Sequence, residues 1–142
     1  MEYDLKRFID AQEGDYQIAL AELARGKKSS HWMWYIFPQL TGLEQSDMAK
    51  LYAIKDLDEA KLYYTHPTLG NRLVECCETL LSLNESNALK IFGSPDDLKL
   101  KSCLTLFAVA SGDVIFESVL AQYFNGEKDG LTLSILKEQA NN

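Results

Sequence analysis

The amino-acid sequence predicts an all-α fold: a single compact globular bundle of about seven helices around a central apolar helix at about residues 95–110. Apolar residues recur at spacings of three and four along most of the chain, which is the period of a helix with one buried face. Residues that start or stop helices stand at the ends of these stretches. Clean alternation of apolar and polar residues is absent except around residues 32–37, so strands are not expected.

The first predicted element covers residues 4–25, with Asp4 as the expected N-cap and Gly26 as the expected stop. Gly14 lies in the middle of this stretch and costs about 1 kcal/mol relative to alanine in a helix. The stretch is therefore either one helix or two helices that are broken near Gly14. Its apolar face comprises Leu5, Phe8, Ile9, Gln12, Tyr16, Ala19, Leu20 and Leu23.

The central helix has the clearest start signal in the chain. Ser94 is the expected cap, and Pro95 suits the first helical position. Asp96 and Asp97 supply the negative charge that a helix N-terminus favours. Residues 103–110 carry almost no charge. A helix that is apolar on all sides belongs in the interior, so this one is expected at the centre of the bundle.

The rest of the chain also carries helical patterns, and the whole of residues 1–142 is interpreted as one domain, a size typical of single domains. The expected caps of these helices are Ser46, Asp56, Ser86 and Asp129, with Glu59 completing a capping box. The tail at about 137–142 is expected to fray. The further helices are expected at 47–54, 56–64, 67–84, 86–92, 114–124 and from 129 onward.

The composition excludes some classes of function. The net charge of −7, from 21 acidic and 14 basic residues, opposes binding to duplex nucleic acid, although a local basic patch can still bind a small anion. The chain contains no apolar run of about 18 residues and does not begin like a signal peptide, so no membrane association is expected. Three cysteines, of which two are adjacent, make a poor disulfide framework. They predict buried free thiols in a cytoplasmic protein.

The densest side-chain chemistry lies between residues 27 and 39, which include both tryptophans and a lysine pair. Lysine can neutralise a phosphate, a serine hydroxyl can bond to its oxygens, and histidine can move a proton near neutral pH. Tryptophan faces can stack on a flat ring. The stretch therefore predicts a site for a small anionic ligand with a flat ring. Its candidate ligand-binding residues are Lys28, Ser30, His31, Trp32 and Trp34.

Three hypotheses follow from this stretch. In the first, residues near Arg7, Arg72 and Asp97 complete a site for a nucleotide or an ADP-ribose-like compound, a ligand class suggested by analogy with another small helical family. In the second, an exposed aromatic patch serves a protein partner or a homodimer. In the third, the aromatic block is purely structural. The sequence leaves these alternatives and the oligomeric state open.

No metal and no cofactor are expected. The two histidines are far apart in sequence, and zinc signatures such as C-x-x-C or H-E-x-x-H do not occur. The nucleophile elbow, the Walker loop and the dinucleotide fingerprint are missing as well. Because many enzymes lack these motifs, the sequence does not decide whether the protein is an enzyme.

The segment from Ser30 to Gln39, Ser-His-Trp-Met-Trp-Tyr-Ile-Phe-Pro-Gln, resembles a bacterial and fungal family of domains of unknown function that is numbered eighteen-ten. The resemblance implies a compact, mainly helical fold and no assigned activity. The label calpastatin, sometimes given to this family, does not fit, because calpastatin repeats are disordered and proline-rich and this chain has only three prolines. Further matching blocks are Asp4–Phe8 with Ala11 and Gln12, Ile91–Gly93 with Asp97–Ser102, Thr105–Phe107, and Tyr123–Phe124 with Gly126, Asp129, Thr132 and Leu133.

Overall fold

A computed structural model describes residues 3–141, which form nine α-helices and no strand. One isolated parallel bridge joins Leu40 and Ile54. The all-α prediction is confirmed. About seven helices were expected, and the helix that lies outside the expected ranges is the single turn Met33–Ile36, which is too short to show a period. The helices are α1 (Lys6–Ala24), α2 (Met33–Ile36), α3 (Asp47–Leu51), α4 (Leu57–Thr65), α5 (Leu69–Ser82), α6 (Ala88–Phe92), α7 (Asp96–Ser111), α8 (Val114–Phe124) and α9 (Gly130–Ala140).

The central position of α7 is confirmed. Its buried residues include Leu100 and the continuous run Ser102–Phe107, and it packs against α4, α6, α8 and α9. Few positions of this run face water, so a polar side chain there would lose its hydration. The buried apolar side chains of the molecule form a single core cluster around it.

The start of α7 differs from the prediction. Pro95 occupies the cap position, and no side chain caps the helix, so the expected Ser94 cap is wrong. The carbonyl of Gly93 accepts from the Asp97 N–H, and the carbonyl of Pro95 accepts from the Leu98 N–H. Because backbone carbonyls satisfy these first donors, the helix needs no side-chain cap.

Helix α1 is one helix and runs through Gly14 without a break. Its predicted buried face is confirmed at Phe8, Gln12 and Tyr16, which anchor both sides of the glycine. The expected Asp4 cap is wrong, because Leu5 occupies that position and makes no side-chain bond. The packing of α1 against α5 and α2 outweighs the local cost of a glycine in the helix.

Other predicted caps are mostly confirmed. Ser46, Asp56 and Asp129 each accept from a backbone N–H in the first turn of their helices. The expected Ser86 cap is wrong, because the Asn87 side chain accepts from the N–H of Leu89 instead. Helix α9 continues to Ala140, across part of the tail that was expected to fray; residue 142 lies outside the described residues.

The three cysteines, Cys76, Cys77 and Cys103, are free and buried, as predicted. Burial raises the pKa of the Cys76 thiol to about 12. These thiols therefore stay protonated near neutral pH and act as small apolar groups of the core. Within the described residues, no helix is long and apolar enough to cross a membrane.

A close approach between α4 and α5 requires a glycine. A Cβ atom at Gly70 would lie 1.8 Å from the carbonyl oxygen of Tyr64. We expect Gly70→Ala to lower the free energy of unfolding by about 2–3 kcal/mol, because backbone has to shift to admit the methyl group. Urea denaturation measures the effect. Gly14→Ala is the matched control, since a Cβ at Gly14 meets nothing within 4 Å and should stabilise the helix by about 0.5–1 kcal/mol.

Candidate functional site

The buried carboxylate of Glu22 organises the segment that follows α1. The helix ends in a turn in which Gly26 takes a left-handed conformation, with bonds from Gly26 N–H to the Leu23 carbonyl and from Lys27 N–H to the Glu22 carbonyl. This turn brings the chain back over the last turn of α1. The predicted stop at Gly26 is therefore confirmed.

Four donors converge on Glu22, which is 3% exposed. Its Oε1 accepts from the backbone N–H of Ser29 (2.7 Å), the backbone N–H of Ser30 (3.0 Å) and the indole Nε1 of Trp32 (2.9 Å). Its Oε2 accepts from the Ser30 hydroxyl at 2.5 Å. The polar groups of Ser30 and Trp32 are therefore used inside the protein.

These hydrogen bonds stabilise the ionised form of Glu22. Burial by itself would raise the pKa of the carboxyl group, but the bonds from the Ser30 hydroxyl, the two backbone N–H groups and the indole outweigh it. Together they lower the pKa from 4.5 to about 2. Glu22 is consequently a permanent negative charge near neutral pH, and its four donors fix the loop around it.

Lys28 also has internal partners. Its ammonium group lies 2.9 Å from the Asp96 carboxylate and donates to the carbonyl of Ser30 at 2.6 Å. It also stands 5.0 Å from the ring centroid of Trp32. The side chain is only 7% exposed. A ligand phosphate would have to displace these partners, so Lys28 mainly ties the loop to the start of α7.

Trp32 is a core residue with 1% exposure. Its ring packs against Phe37 and Phe92, with centroid distances of 6.3 Å and 6.4 Å. The adjacent His31 is exposed, and its carbonyl accepts from the Tyr35 hydroxyl at 3.3 Å. The structural interpretation of the aromatic block therefore fits Trp32.

Trp34 has a different environment, because it is half-buried and lines a pocket. Two residues of this Trp34 pocket are tied to the neighbouring Ile54, whose carbonyl accepts from the Thr41 N–H and whose N–H donates to the Gln39 carbonyl, both at 2.8 Å. Its cavity volume is about 20 Å³, which admits about one water molecule, so a larger ligand can lie only across its mouth. Its lining residues are Trp34, Gln39, Leu40, Thr41, Gly42, Leu43, Glu44, Ala49, Lys50, Tyr52 and Ala53.

A chain of charges runs past this pocket. The Lys99 ammonium lies 3.4 Å from Oδ1 of Asp96 and 3.4 Å from Oε2 of Glu44, and 5.8 Å from the ring centroid of Trp34. Asp96 in turn pairs with Lys28. The Glu44 contact is long, and this buried oxygen has no hydrogen bond among residues 3–141; neither has Oδ1 of Asp97. Both oxygens are closed off from solvent.

Arg7 and Arg72, the two arginines predicted to complete the site, lie in different parts of the structure. Arg7 pairs with Glu59 and donates to the carbonyls of Leu51 and Ala53. Its environment adjoins the Trp34 pocket, because a second pocket lined by Arg7 also contains Ala53. Arg72 instead donates to Gln12 in the contact between α5 and α1. Within the described residues these contacts do not bring Arg72 to the Lys28–Trp34 loop.

Sequence reasoning missed three residues of this region. Only Glu22 could have been found from the sequence. An acidic residue in the last turn of a helix is unfavourable with the helix macrodipole, so it indicates another stabilising partner. Glu44 and Lys50 line the pocket, but nothing in their sequence neighbourhoods separates them from ordinary surface charges. Among residues 3–141, no group of three His, Cys, Asp or Glu residues could hold a metal ion.

Comparison with known proteins agrees with this fold. A family model described as "Protein of unknown function (DUF1810)" matches residues 2–136. The chain belongs to this family. The family resemblance of the aromatic block is thus confirmed, and it extends over nearly the whole chain. The family description assigns no activity.

A solved structure is also similar. The crystal structure of the conserved hypothetical protein Rv1873 from Mycobacterium tuberculosis has 44% sequence identity to this chain and a TM-score of 0.93. The match covers 95% of this chain and 97% of that one. The search of curated proteins found no match. Any function of this DUF1810 family member therefore has to be argued from its own residues.

Proposed function

We propose that the protein binds a small ligand with a flat ring, of the nucleotide or ADP-ribose-like class, across the mouth of the Trp34 pocket. The observation that carries the proposal is the position of Trp34, whose indole is half-buried in the wall of a pocket with both apolar and polar lining. An indole face stacks on any base and contributes about 1–3 kcal/mol to its binding.

The proposal moves the site from the start of the 28–34 loop to its end. Ser30 and Trp32 bond to Glu22, and Lys28 pairs with Asp96. Their hydrogen-bonding capacity is taken up inside the protein, so a ligand would gain little by replacing it. Among residues 3–141, the Trp34 indole makes no hydrogen bond to a buried acid.

The polar groups of the pocket suit the edge of a base or a ribose. Glu44 lines the pocket, and a carboxylate can accept from an exocyclic amine or a sugar hydroxyl. Lys50 supplies positive charge on the pocket wall. Small-ligand sites commonly combine an apolar or aromatic wall with a few polar groups that fix the orientation of the ligand.

Calorimetric titration with adenosine tests the proposal. We expect binding with a dissociation constant below about 1 mM, which corresponds to about 4 kcal/mol. Stacking should also change the fluorescence of Trp34. Trp34→Ala is expected to weaken binding at least about tenfold, because it removes the stacking face. His31→Ala in the same loop is the matched control and should bind like the wild type, since His31 does not line the pocket.

Two results would contradict the proposal. One is the absence of heat, thermal shift and fluorescence change with nucleosides and nucleotides at millimolar concentrations. The other is binding that Trp34→Ala leaves intact. The interaction hypothesis requires an exposed aromatic patch, but Trp32 is buried and Trp34 is half-buried. It would gain support if light scattering found a stable dimer that buries Trp34.

A further inference from the structure

A second pocket adjoins the Trp34 pocket and contains three basic residues. This Arg7 pocket includes Arg7, Lys50 and Lys55 together with one acidic residue, Asp4. Its cavity volume is about 350 Å³. In a chain with a net charge of −7, such a grouping of cations is a local departure from the overall charge.

The two pockets share part of their lining. Thr41, Lys50 and Ala53 belong to both. The backbone bridge between residues 39–41 and Ile54 lies at this boundary. A ligand whose ring stacks on Trp34 can therefore extend past Thr41 and Lys50 into the Arg7 pocket.

The Arg7 pocket is held rigid by buried groups. Glu59 is 0% exposed and accepts from Arg7 Nη1 at 2.9 Å and from the Lys55 N–H at 2.7 Å. Arg7 Nε and Nη2 donate to the carbonyls of Leu51 and Ala53 at 2.9 Å and 2.8 Å. These bonds fix the backbone segment that carries Lys50 and Lys55, so both lysines project from a preorganised frame.

The ammonium groups in this pocket are available to an anion. Among residues 3–141, neither Lys50 nor Lys55 forms an ion pair. Arg7 contributes five N–H groups, and those on Nε and Nη1 are taken by Leu51, Asp4 and Glu59. Because its Nη2 makes one bond, to Ala53, one N–H of Arg7 has no partner among residues 3–141. The exposed carboxylate of Asp4 repels an anion. Its single negative charge is smaller than the two positive charges of Lys50 and Lys55.

We propose that the Arg7 pocket binds the phosphate end of the same ligand, through Lys50 and Lys55, while its ring lies across the mouth of the Trp34 pocket. This inference rests on the proposed function and narrows the ligand class to nucleoside phosphates. Lysine serves as a point charge for phosphate oxygens. The phosphate chain is bound at a backbone frame that Arg7 and Glu59 already hold in place.

The experiment compares adenosine, ADP and inorganic pyrophosphate on the full chain and its variants by calorimetry. ADP should bind about tenfold or more tightly than adenosine, and this advantage should shrink with added salt. Lys55→Gln should remove most of the ADP advantage and leave adenosine unaffected, because Lys55 lines the Arg7 pocket and not the Trp34 pocket. Lys61→Gln, an exposed lysine on α4, is the matched control and should preserve the advantage.

The outcomes separate this inference from the proposed function. If adenosine binds through Trp34 but ADP binds no more tightly, or if Lys55→Gln leaves the ADP advantage intact, the phosphate subsite is wrong and the ring site stands. If pyrophosphate binds and adenosine does not, the proposed ring site is wrong. The inference that one ligand spans both pockets is then wrong as well. If Trp34→Ala loses ADP binding and Lys55→Gln loses the tighter binding of ADP over adenosine, the results support both the ring site and the phosphate subsite.

Discussion

Glu22→Gln is expected to lower the free energy of unfolding by about 3 kcal/mol at pH 7. The carboxylate accepts four hydrogen bonds while 3% exposed, and its pKa falls from 4.5 to about 2 in the folded protein. A shift of one pKa unit corresponds to about 1.4 kcal/mol of preference for the ionised form. Glutamine has nearly the same shape but loses the charge that strengthens these bonds. Urea denaturation followed by circular dichroism measures the difference.

The effect should depend on pH in a defined way. Because the folded pKa of Glu22 is lower than the unfolded value, its stabilisation is fully present above about pH 4.5 and is lost as the pH falls toward 2. The difference between wild type and Glu22→Gln should therefore be constant near neutral pH and shrink between these two values. Any pH dependence that arises from other carboxylates is common to both proteins.

Glu13→Gln is the matched control, since Glu13 is an exposed glutamate on the same helix. Its effect is expected to stay within about 0.5 kcal/mol at every pH. A Glu22→Gln protein as stable as the control would mean that the carboxylate does not fix the loop. A difference that stays unchanged from pH 7 to pH 2 would mean that its charge is not the cause.

Arg7→Met is expected to lower the free energy of unfolding by about 3–5 kcal/mol. The substitution leaves the buried Glu59 without its charged partner and the carbonyls of Leu51 and Ala53 without a donor. Methionine can retain the apolar contact with the Phe8 ring, over which the guanidinium carbon lies at 4.3 Å. The measured loss therefore reports mainly on the charge and the hydrogen bonds. The measurement is again denaturant unfolding at pH 7.

A double-mutant cycle identifies the cause. Glu59→Met removes the buried charge, so Arg7→Met together with Glu59→Met should cost at least about 1 kcal/mol less than the sum of the single substitutions. Arg25→Met, at the exposed end of the same helix, is the control and should change stability by less than about 0.5 kcal/mol. If Arg7→Met lowers the free energy of unfolding by less than about 1 kcal/mol, the Arg7–Glu59 pair contributes no more than an ordinary surface ion pair.

The helical frame could be predicted because its signals are local. The spacing of Phe8, Gln12 and Tyr16 gave the buried face of α1, and the uncharged run in α7 gave the central helix. Caps were predicted where an accepting side chain and its backbone donor lie within one turn, as at Asp56, which accepts from the Glu59 N–H. The prediction was wrong at Ser94 and Ser86, where another group close in sequence satisfies the same donors.

The candidate site could be predicted only in part. The 28–34 segment was selected by its residue types, and Trp34 does line a pocket. Nothing in the sequence separates Trp34 from Trp32, since both are indoles in one short segment and differ only in what packs around them. The partner of Trp32 is Glu22, which lies in the preceding helix.

By itself, the sequence determined the all-α class, the central position of α7 and the burial of the three cysteines. These properties follow from hydrophobic spacing, which acts between residues a few positions apart. Only the tertiary structure decided that Lys28 pairs with Asp96, that Arg7 pairs with Glu59 across 52 positions, and that two pockets meet at Lys50. A charged side chain selects its partner by distance in the folded state, and that distance is set by how whole helices pack.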